Sequence, residues 1–536
     1  MQVPRNFADV IRHNVHNGRA VTDQVAFRWQ HAALTWADVD AWVDECARGL
    51  GALELPSDGG HPARVAIALP NRPEYVAAFF GALRAGLVAM PVNPGYTARE
   101  LRQILEDSGA RVLVASAGVL DTLGDEPAAP AHRFRVGEPV GPASAAATAF
   151  ADLAVAGDPV EATAGGDDLA VLIYTSGTEG RPKGAMLSHR ALLVNHEQLA
   201  GIEPAPVGPD DVVLLAVPLF HAYGLNSGLG SVAYHGATGV LVDAFDPADS
   251  LRLVAEHHVS AVIGVPTMFV AWSLLPDFGE AMASVRIAVC GAAPLEASTA
   301  RRFLDATGHP VFVGYGLTET APVLTTSLAS PVPKEGSIGR AIPGVEIALV
   351  SAGGEEVWRS SAPTVVADDD FDDDASGSPG TDPGEIVARG ANLFSGYWPD
   401  GHDGPDSGGW WATGDVAYAD ADGDLFLVDR LRELILVNGF NVYPAEVEQV
   451  LTTHPAVAEA AVLGVPHPYS GQTVKAYVVA RSPIGTDELL AHCERNLARY
   501  KCPTSVEFVD TLPHSATGKV RKAALRTAPE GIAADA

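Results

Sequence analysis

Between Tyr174 and Gly184 the chain reads YTSGTEGRPKG, a run of small and hydroxylated residues (Thr175, Ser176, Gly177, Thr178, Gly180) leading to Lys183. Glycines let backbone amides approach a ligand closely, Ser and Thr hydroxyls add donors, and a lysine supplies a point charge. A polyphosphate needs all three. The run is not a Walker A loop, because Lys183 is followed by Gly184 and Ala185 where that loop carries Ser or Thr. Even alone, a bland Gly-rich turn is the lesser reading. Further down, Glu319 stands in the short string GYGLTET, a weak signal by itself. His221 stands on an apolar segment, PLFHAYG, where a structural histidine is the ordinary reading. Asp415 in WATGD is a ligand or a turn residue, and Lys519 in LPHSATGK is catalytic or simply solvent-facing near a tail.

Order and distance decide between these readings. Together the strings resemble the motifs of the adenylate-forming enzymes: acyl- and aryl-CoA synthetases, peptide-synthetase adenylation domains and beetle luciferases. The resemblance covers nearly the whole chain. It implies that Thr175, Ser176, Gly177, Thr178 and Lys183 hold ATP phosphates, with Gly291, Ala292, Ala293, Tyr315 and Gly316 around the nucleotide and Tyr315 stacked near adenine. Thr318 would touch the α-phosphate and Glu319 would help hold Mg2+. Asp415 would accept hydrogen bonds from the ribose hydroxyls, and Arg430 would contact ribose and phosphate. His221 would lie beside the acyl carboxylate, with Tyr223, Gly224, Gly228 and Val265 lining the acyl pocket. Arg432 occupies the hinge position, usually Lys or Asp in the family, and Gly439 and Phe440 would form the CoA channel. Lys519 becomes the catalytic lysine.

The implied reaction is attack of a carboxylate on the α-phosphorus of ATP, loss of pyrophosphate, then attack of the CoA thiol on the acyl-adenylate with loss of AMP. Both first reactants are anionic, so fixed positive groups must carry much of the catalysis. No basic residue except His221 stands in Phe220–Gly230 or in 264–272, so a dicarboxylate would bury an unpaired charge. An apolar acid is expected, a medium- or long-chain fatty acid, because the C-terminal part looks most like the bacterial ligases for such acids. An aryl acid, or delivery to a carrier protein, is the alternative. The acyl-AMP-only ligases of the family carry an insertion after the TE motif; residues 322–340 are compact here. A non-catalytic homologue would have lost Lys519 or Glu319, and both are present.

The elements that must position these residues read as alternating strands and helices. Arg64–Leu69, Gly86–Val92 and Arg111–Ala115 are short apolar runs of buried-strand type, and 36–50 and 98–107 have helical spacing. The alternation resumes with strands at 212–217, 261–265, 285–290 and 311–313 and a helix at 250–257. A parallel α/β sheet covered on both faces follows, in two layers. Met186–Leu199 is helix-compatible, 138–168 reads as a surface connection, and 351–383, with six aspartates between Asp368 and Asp374, as a self-repelling hairpin tip. The expected architecture is α/β: a large N-terminal domain of doubly wound sheets with a small β-structured subdomain (1–429), then a small mobile α+β domain (430–536) ending in a disordered tail.

A length of 536 residues calls for at least two domains. The formal charge of −31 excludes nucleic acid as a natural partner and obliges a site for ATP and CoA to gather its own cations. The cysteines are scattered with no C-x-x-C pair, which predicts reduced thiols and a cytoplasmic protein. No signal peptide, membrane span or histidine-built metal site is evident. Peripheral membrane contact, and the choice between monomer and homodimer, stay open.

Overall fold

The computed structural model describes residues 4–16, 24–124, 126, 129–175, 182–360, 380–430, 435–437, 440–467, 471–497, 499–514 and 519–526, and every count below refers to these. Two compact units emerge: residues 1–345 with 389–411, and residues 346–388 with 412–536.

The first unit is built on two sheets. One has seven strands, in the order Thr148–Ala149, His132–Val136, Val112–Ser116, Arg64–Ala68, Val88–Pro91, Leu169–Thr175, Lys183–Ser188. Its strands are parallel except for the final hairpin. The apolar runs sit in its centre because both faces are covered: Val65, Ala66, Ile67 and Ala68 are all buried. The second sheet has nine strands, and its parallel centre comprises Val311–Val313 of a longer strand, Ile287–Cys290, Ala261–Gly264, Val212–Leu215, Thr238–Leu241 and Val25–Trp29. Helix starts are well signalled. Thr35 and Asp38 close a capping box on Trp36–Gly51, Thr97 and Glu100 do so on Ala98–Ser108, and Asp246 caps Pro247–Glu256. Gly109 and Gly308 end helices in the left-handed conformation that L side chains disfavour.

The second unit holds a five-stranded sheet, Glu356–Arg359, Val345–Val350, Gly384–Gly390, Trp410–Ala419, Leu425–Arg430, whose strands start in or run out of the first unit at three places. It also holds an α+β layer. There Phe440–Val442, Ile435–Val437, Gly471–Ala480 and Val457–His467 form a sheet, and Ser505–Phe508 adds in parallel to the third of these. Helices Pro444–Thr452 and Thr486–Asn496 bury Val447, Leu451, Leu489 and Cys493 in its core.

The α/β expectation therefore holds, with four corrections. The first strand series runs on past Arg111–Ala115, the last run read from the sequence there: His132–Val136 and Thr148–Ala149 extend it. Residues 138–168 are not only a surface connection, since Pro142–Ala146 is helical and Phe150 and Leu153 are buried. The helix expected from Met186 begins at His189; Met186–Ser188 belong to a strand, and Ser188 caps the helix by accepting from Ala191 N. Before the aspartates, Glu356–Arg359 pairs with Val345–Val350, while the aspartate-rich tip itself lies outside the described residues. All four cysteines are free and buried, and among the described residues no helix is long and apolar enough to cross a membrane.

Candidate active site

Thr175 and Lys183 face each other at the loop end of the hairpin formed by Leu169–Thr175 and Lys183–Ser188. Ser176, Gly177 and Thr178, at its tip, lie outside the described residues. A third segment runs along the hairpin's outer edge: Ser395 N donates to Met186 O at 2.9 Å, Met186 N to Gly396 O at 3.1 Å and Trp398 N to Gly184 O at 2.8 Å. At its near end Phe394 N donates to the carbonyl of Glu319 at 2.8 Å. This segment ties the phosphate-type loop to the TET turn by backbone alone.

Its side chains complete the link. The Tyr397 hydroxyl donates to Glu319 Oε1 at 2.7 Å, and Lys183 Nζ stands 5.0 Å from the centre of the Tyr397 ring. A cation over an aromatic face is held there without losing its charge. Lys183 also meets Asp403 Oδ2 at 3.2 Å, an exposed pairing of the weak kind that a phosphate can replace. Thus the candidate phosphate cation and the candidate metal carboxylate share one aromatic ring, though they are far apart in sequence.

Glu319 is buried in a tight turn, Thr318–Thr320, that follows the strand Val311–Gly316. Thr320 Oγ1 accepts from Leu317 N at 2.9 Å and fixes the turn. Gly316 is obligatory: a Cβ there would lie 1.7 Å from the Pro322 carbonyl oxygen. Buried amides hold the far side. Asn392 Nδ2 donates to Thr320 O at 2.8 Å, Asn226 Nδ2 to Ala321 O at 2.7 Å, and Asn195 exchanges two hydrogen bonds with the backbone of Val323. Four carbonyl and amide partners fixed this way leave the turn little freedom, which is what a preorganised site requires.

The acyl-type residues gather at the carboxyl ends of parallel strands, where open α/β sheets bind ligands. Asn71 clamps the approach by donating to Leu215 O and Val217 O, both at 2.9 Å, and accepting from Leu219 N at 2.8 Å; Tyr75 OH donates to Leu219 O at 2.8 Å. His221 follows, half-buried. Its Nδ1 accepts from Tyr223 N at 3.2 Å, so a neutral ring carries its proton on Nε2. Tyr223–Gly230 then form a buried π-helix, a wide helical form that recurs at functional sites. Gly224 must lack a side chain, since a Cβ would sit 2.3 Å from Pro218 O. Tyr223 lies against Gly291, where a Cβ would be 2.8 Å from its ring, and its hydroxyl donates to Val289 O at 3.3 Å. Burial holds that hydroxyl neutral by pushing its pKa well above the ordinary value. Gly291 N donates to Gly264 O, beside Val265, which opens the helix Pro266–Ser273. Gly228 faces Leu215, and Ala292 holds φ +69°, strained backbone of the kind found at ligand sites. Tyr315 and Gly316 end the next strand over.

In the second unit, Asp415 and Arg430 are direct partners across antiparallel strands. Asp415 is buried, and its amide donates to Thr413 Oγ1 at 3.1 Å. Arg432 and Gly439 lie outside the described residues, whereas Phe440 opens the strand Phe440–Val442. Lys519 is exposed, immediately before Val520.

Sequence reasoning did not single out Tyr397, Asn392, Asn226 or Asn71. Polar amides inside apolar runs were the available signal for Asn71 and Asn226. Tyr397 carries no local signal, because its partners come from two other parts of the chain. Among the described residues no three His, Cys, Asp or Glu side chains cluster as a metal site. The single buried carboxylate of Glu319 fits Mg2+ all the same, an ion that takes one or two carboxylates and fills its shell with phosphate and water.

The family description "AMP-binding enzyme" matches residues 15–398, and "AMP-binding enzyme C-terminal domain" matches residues 446–519. The chain is 38% identical over 520 residues to a feruloyl-CoA synthase from an Amycolatopsis species, covering 96% of this chain and 97% of that one. It is 35% identical over 501 residues to a long-chain-fatty-acid–CoA ligase of Escherichia coli O157:H7, covering 87% and 86%. Among solved structures, ATP-bound MatB from Rhodopseudomonas palustris is similar at a TM-score of 0.83 and 28% identity, covering 97% and 98%. A Mycobacterium tuberculosis fatty acyl CoA synthetase is similar at a TM-score of 0.73 and 28% identity, covering 97% of each chain.

Proposed function

This chain belongs to the AMP-binding enzyme family as an adenylate-forming acid–thiol ligase that uses ATP and CoA, and from that premise we propose that its acid is a medium- or long-chain fatty acid. The observation that supports the adenylating reaction most is the joining of Lys183 and Glu319 through Tyr397, which puts a phosphate cation and a metal carboxylate on one preorganised frame. Around this frame Thr175, Ser176, Gly177, Thr178 and Lys183 hold the leaving phosphates, and Gly291, Ala292, Ala293, Tyr315 and Gly316 hold the base. Thr318 meets the α-phosphate. Mg2+ bound at Glu319 supplies neutralising charge. Asp415 and Arg430 hold the ribose, and His221 orients the acyl carboxylate, whose oxygen attacks the α-phosphorus as pyrophosphate leaves.

Lys519 brings the remaining charge to the carboxylate and α-phosphate in this step. Rotation of residues 430–536 about Arg432 then withdraws it and brings Gly439 and Phe440 into a channel for CoA. The thiol sulfur attacks the acyl carbon and AMP leaves. Cytoplasmic residence belongs to the same reading.

The apolar, glycine-containing run Tyr223–Gly230 supports a hydrocarbon substrate. A second reading, a substituted aryl acid, is favoured by the likeness to feruloyl-CoA synthase. Purified protein incubated with ATP, Mg2+ and a panel of fatty and aryl acids, with and without CoA, separates the two by mass spectrometry. Acyl-CoA across a window of fatty acids is expected. Turnover of hydroxycinnamic acids alone would replace the fatty reading with the aryl one, and acyl-adenylate that never reaches CoA would point to a carrier protein.

A further inference from the structure

The segment that carries Lys519 is pinned at both of its described ends. His514 and Val520 pair as an antiparallel bridge, and Arg521 N donates to Pro513 O at 2.6 Å, which holds residues 513–514 against 520–521 beside the lysine. Three positions later, Lys522 Nζ lies 2.8 Å from Glu448 Oε1. The same oxygen accepts from the backbone amide of Val462 at 2.7 Å. Three elements therefore meet at one carboxylate: the helix Pro444–Thr452, the strand Val457–His467 and the terminal helix Lys522–Arg526. Leu525 docks that last helix onto Ala461, Leu463, Tyr477 and Leu512.

This ion pair is unlike the exposed ones on the molecule. The Lys522 and Glu448 side chains keep only 14% and 21% of their exposure, whereas Arg252 and Asp249 keep 57% and 54%. A half-buried pair with a backbone donor on the same oxygen holds a geometry; an exposed pair samples many. Removing the charge at Glu448 takes away the ionic tie that fixes the start of the terminal helix against the helix Pro444–Thr452. The start of the terminal helix then shifts, and so does the backbone that presents Lys519.

We propose that Glu448, through Lys522, is a positioning residue for Lys519 and governs the adenylation half-reaction selectively. The inference rests on the assignment of Lys519 to adenylation. Glu448 touches no reactant in this account. It sets where a catalytic cation begins, and a misplacement of about 1 Å at a reacting centre is worth on the order of a hundredfold in rate.

The test compares Glu448→Gln, Lys522→Met and Lys522→Arg in the full chain. Glutamine keeps an acceptor for the Val462 amide and loses only the charge, methionine removes the cation, and arginine restores it. Adenylation is read as acid-dependent pyrophosphate release, and transfer as thioester formation from supplied acyl-adenylate and CoA. Glu448→Gln and Lys522→Met should each lose about tenfold or more in adenylation and stay within about twofold in transfer, with Lys522→Arg close to the parent. Parallel loss in both half-reactions, or no loss in either, overturns the proposal. Lys519→Ala run alongside separates the two levels: if it keeps adenylation, the underlying assignment fails whatever happens at Glu448.

Discussion

At the scale of single residues, charge is placed by neutral neighbours. Tyr397 donates to Glu319 and lies beneath Lys183, so one phenol serves an anion with its hydroxyl and a cation with its face. Replacing it with Phe separates the two services. The ring and its cation contact stay, while the carboxylate loses a hydrogen bond of the charge-assisted kind, about 1.5–3 kcal/mol. Tyr397→Phe should therefore raise the Mg2+ concentration needed for half-maximal pyrophosphate release by roughly tenfold or more, by that same hydrogen-bond magnitude. The maximal rate at saturating Mg2+ should change far less. Mg2+ titration of the variant checks it, and an unchanged Mg2+ requirement with a lowered maximum would detach Tyr397 from the metal. The sequence made Glu319 and Lys183 visible because each stands in a short string of distinctive residue types. It left Tyr397 hidden, because a tyrosine in Ser395–Pro399 has no periodicity and its meaning arises only when the segment lies along Lys183–Ser188.

At the scale of elements, the helix His189–Ala200 is bound to the π-helix by a buried, neutral histidine. His196 stacks between Phe7 and Tyr234, and its Nε2 stands 2.9 Å from Asn226 Oδ1. An amide oxygen only accepts, so Nε2 must carry the proton. Burial, the largest influence, lowers the His196 pKa to about 3 and that of His189, on the same helix, to about 4. In the unfolded chain both take a proton near pH 6.5, so below that pH the unfolded state binds more protons and folding stability falls. The slope is at most about 1.4 kcal/mol per pH unit for each histidine, and it persists until the folded-state values are reached. Denaturant unfolding between pH 6.5 and 5 should show a shallower loss for His196→Gln than for the parent; equal slopes would mean that the ring is not buried neutral. These elements were unevenly legible. Arg64–Ala68 and Ala261–Gly264 are short apolar runs, buried on both faces, and read directly as strands. Lys183–Ser188 did not, because its Met186 and Leu187 continue the helical spacing of the residues after it. Val25–Trp29 and Ala32–Thr35 were missed for another reason: they form a partly exposed hairpin at a sheet edge, without a continuous apolar run.

At the scale of the whole molecule, an acidic chain of net charge −31 must bring two anionic reactants and then a third, CoA, to one place. Gathering every cation permanently around the α-phosphate would leave no path for the thiol. In the proposed function Lys519 meets the conflict by supplying charge for the first step and vacating the space for the second. Motif order predicts a boundary at 429/430, with the phosphate-type residues and Asp415 before it and Arg430 and Lys519 after it; Asp415 lies with Arg430 and Lys519 in the second compact unit. The geometry of the proposed exchange was not readable, since a pivot at Arg432 leaves no local pattern in the sequence. Two substitutions address it with opposite expected signatures. Lys519→Ala removes one preorganised positive donor, worth about 3 kcal/mol or some two orders of magnitude, from adenylation only. Its transfer from supplied acyl-adenylate to CoA should be retained. Arg432→Pro fixes φ near −65° and removes a backbone N–H at the proposed pivot, so adenylation should survive while thioester formation falls by about tenfold or more. Half-reaction rates measured separately on the two variants decide the matter. Opposite losses require one chain to adopt two arrangements in turn, whereas equal loss of both half-reactions in Arg432→Pro would remove the pivot from that position and leave Lys519 acting in a single arrangement.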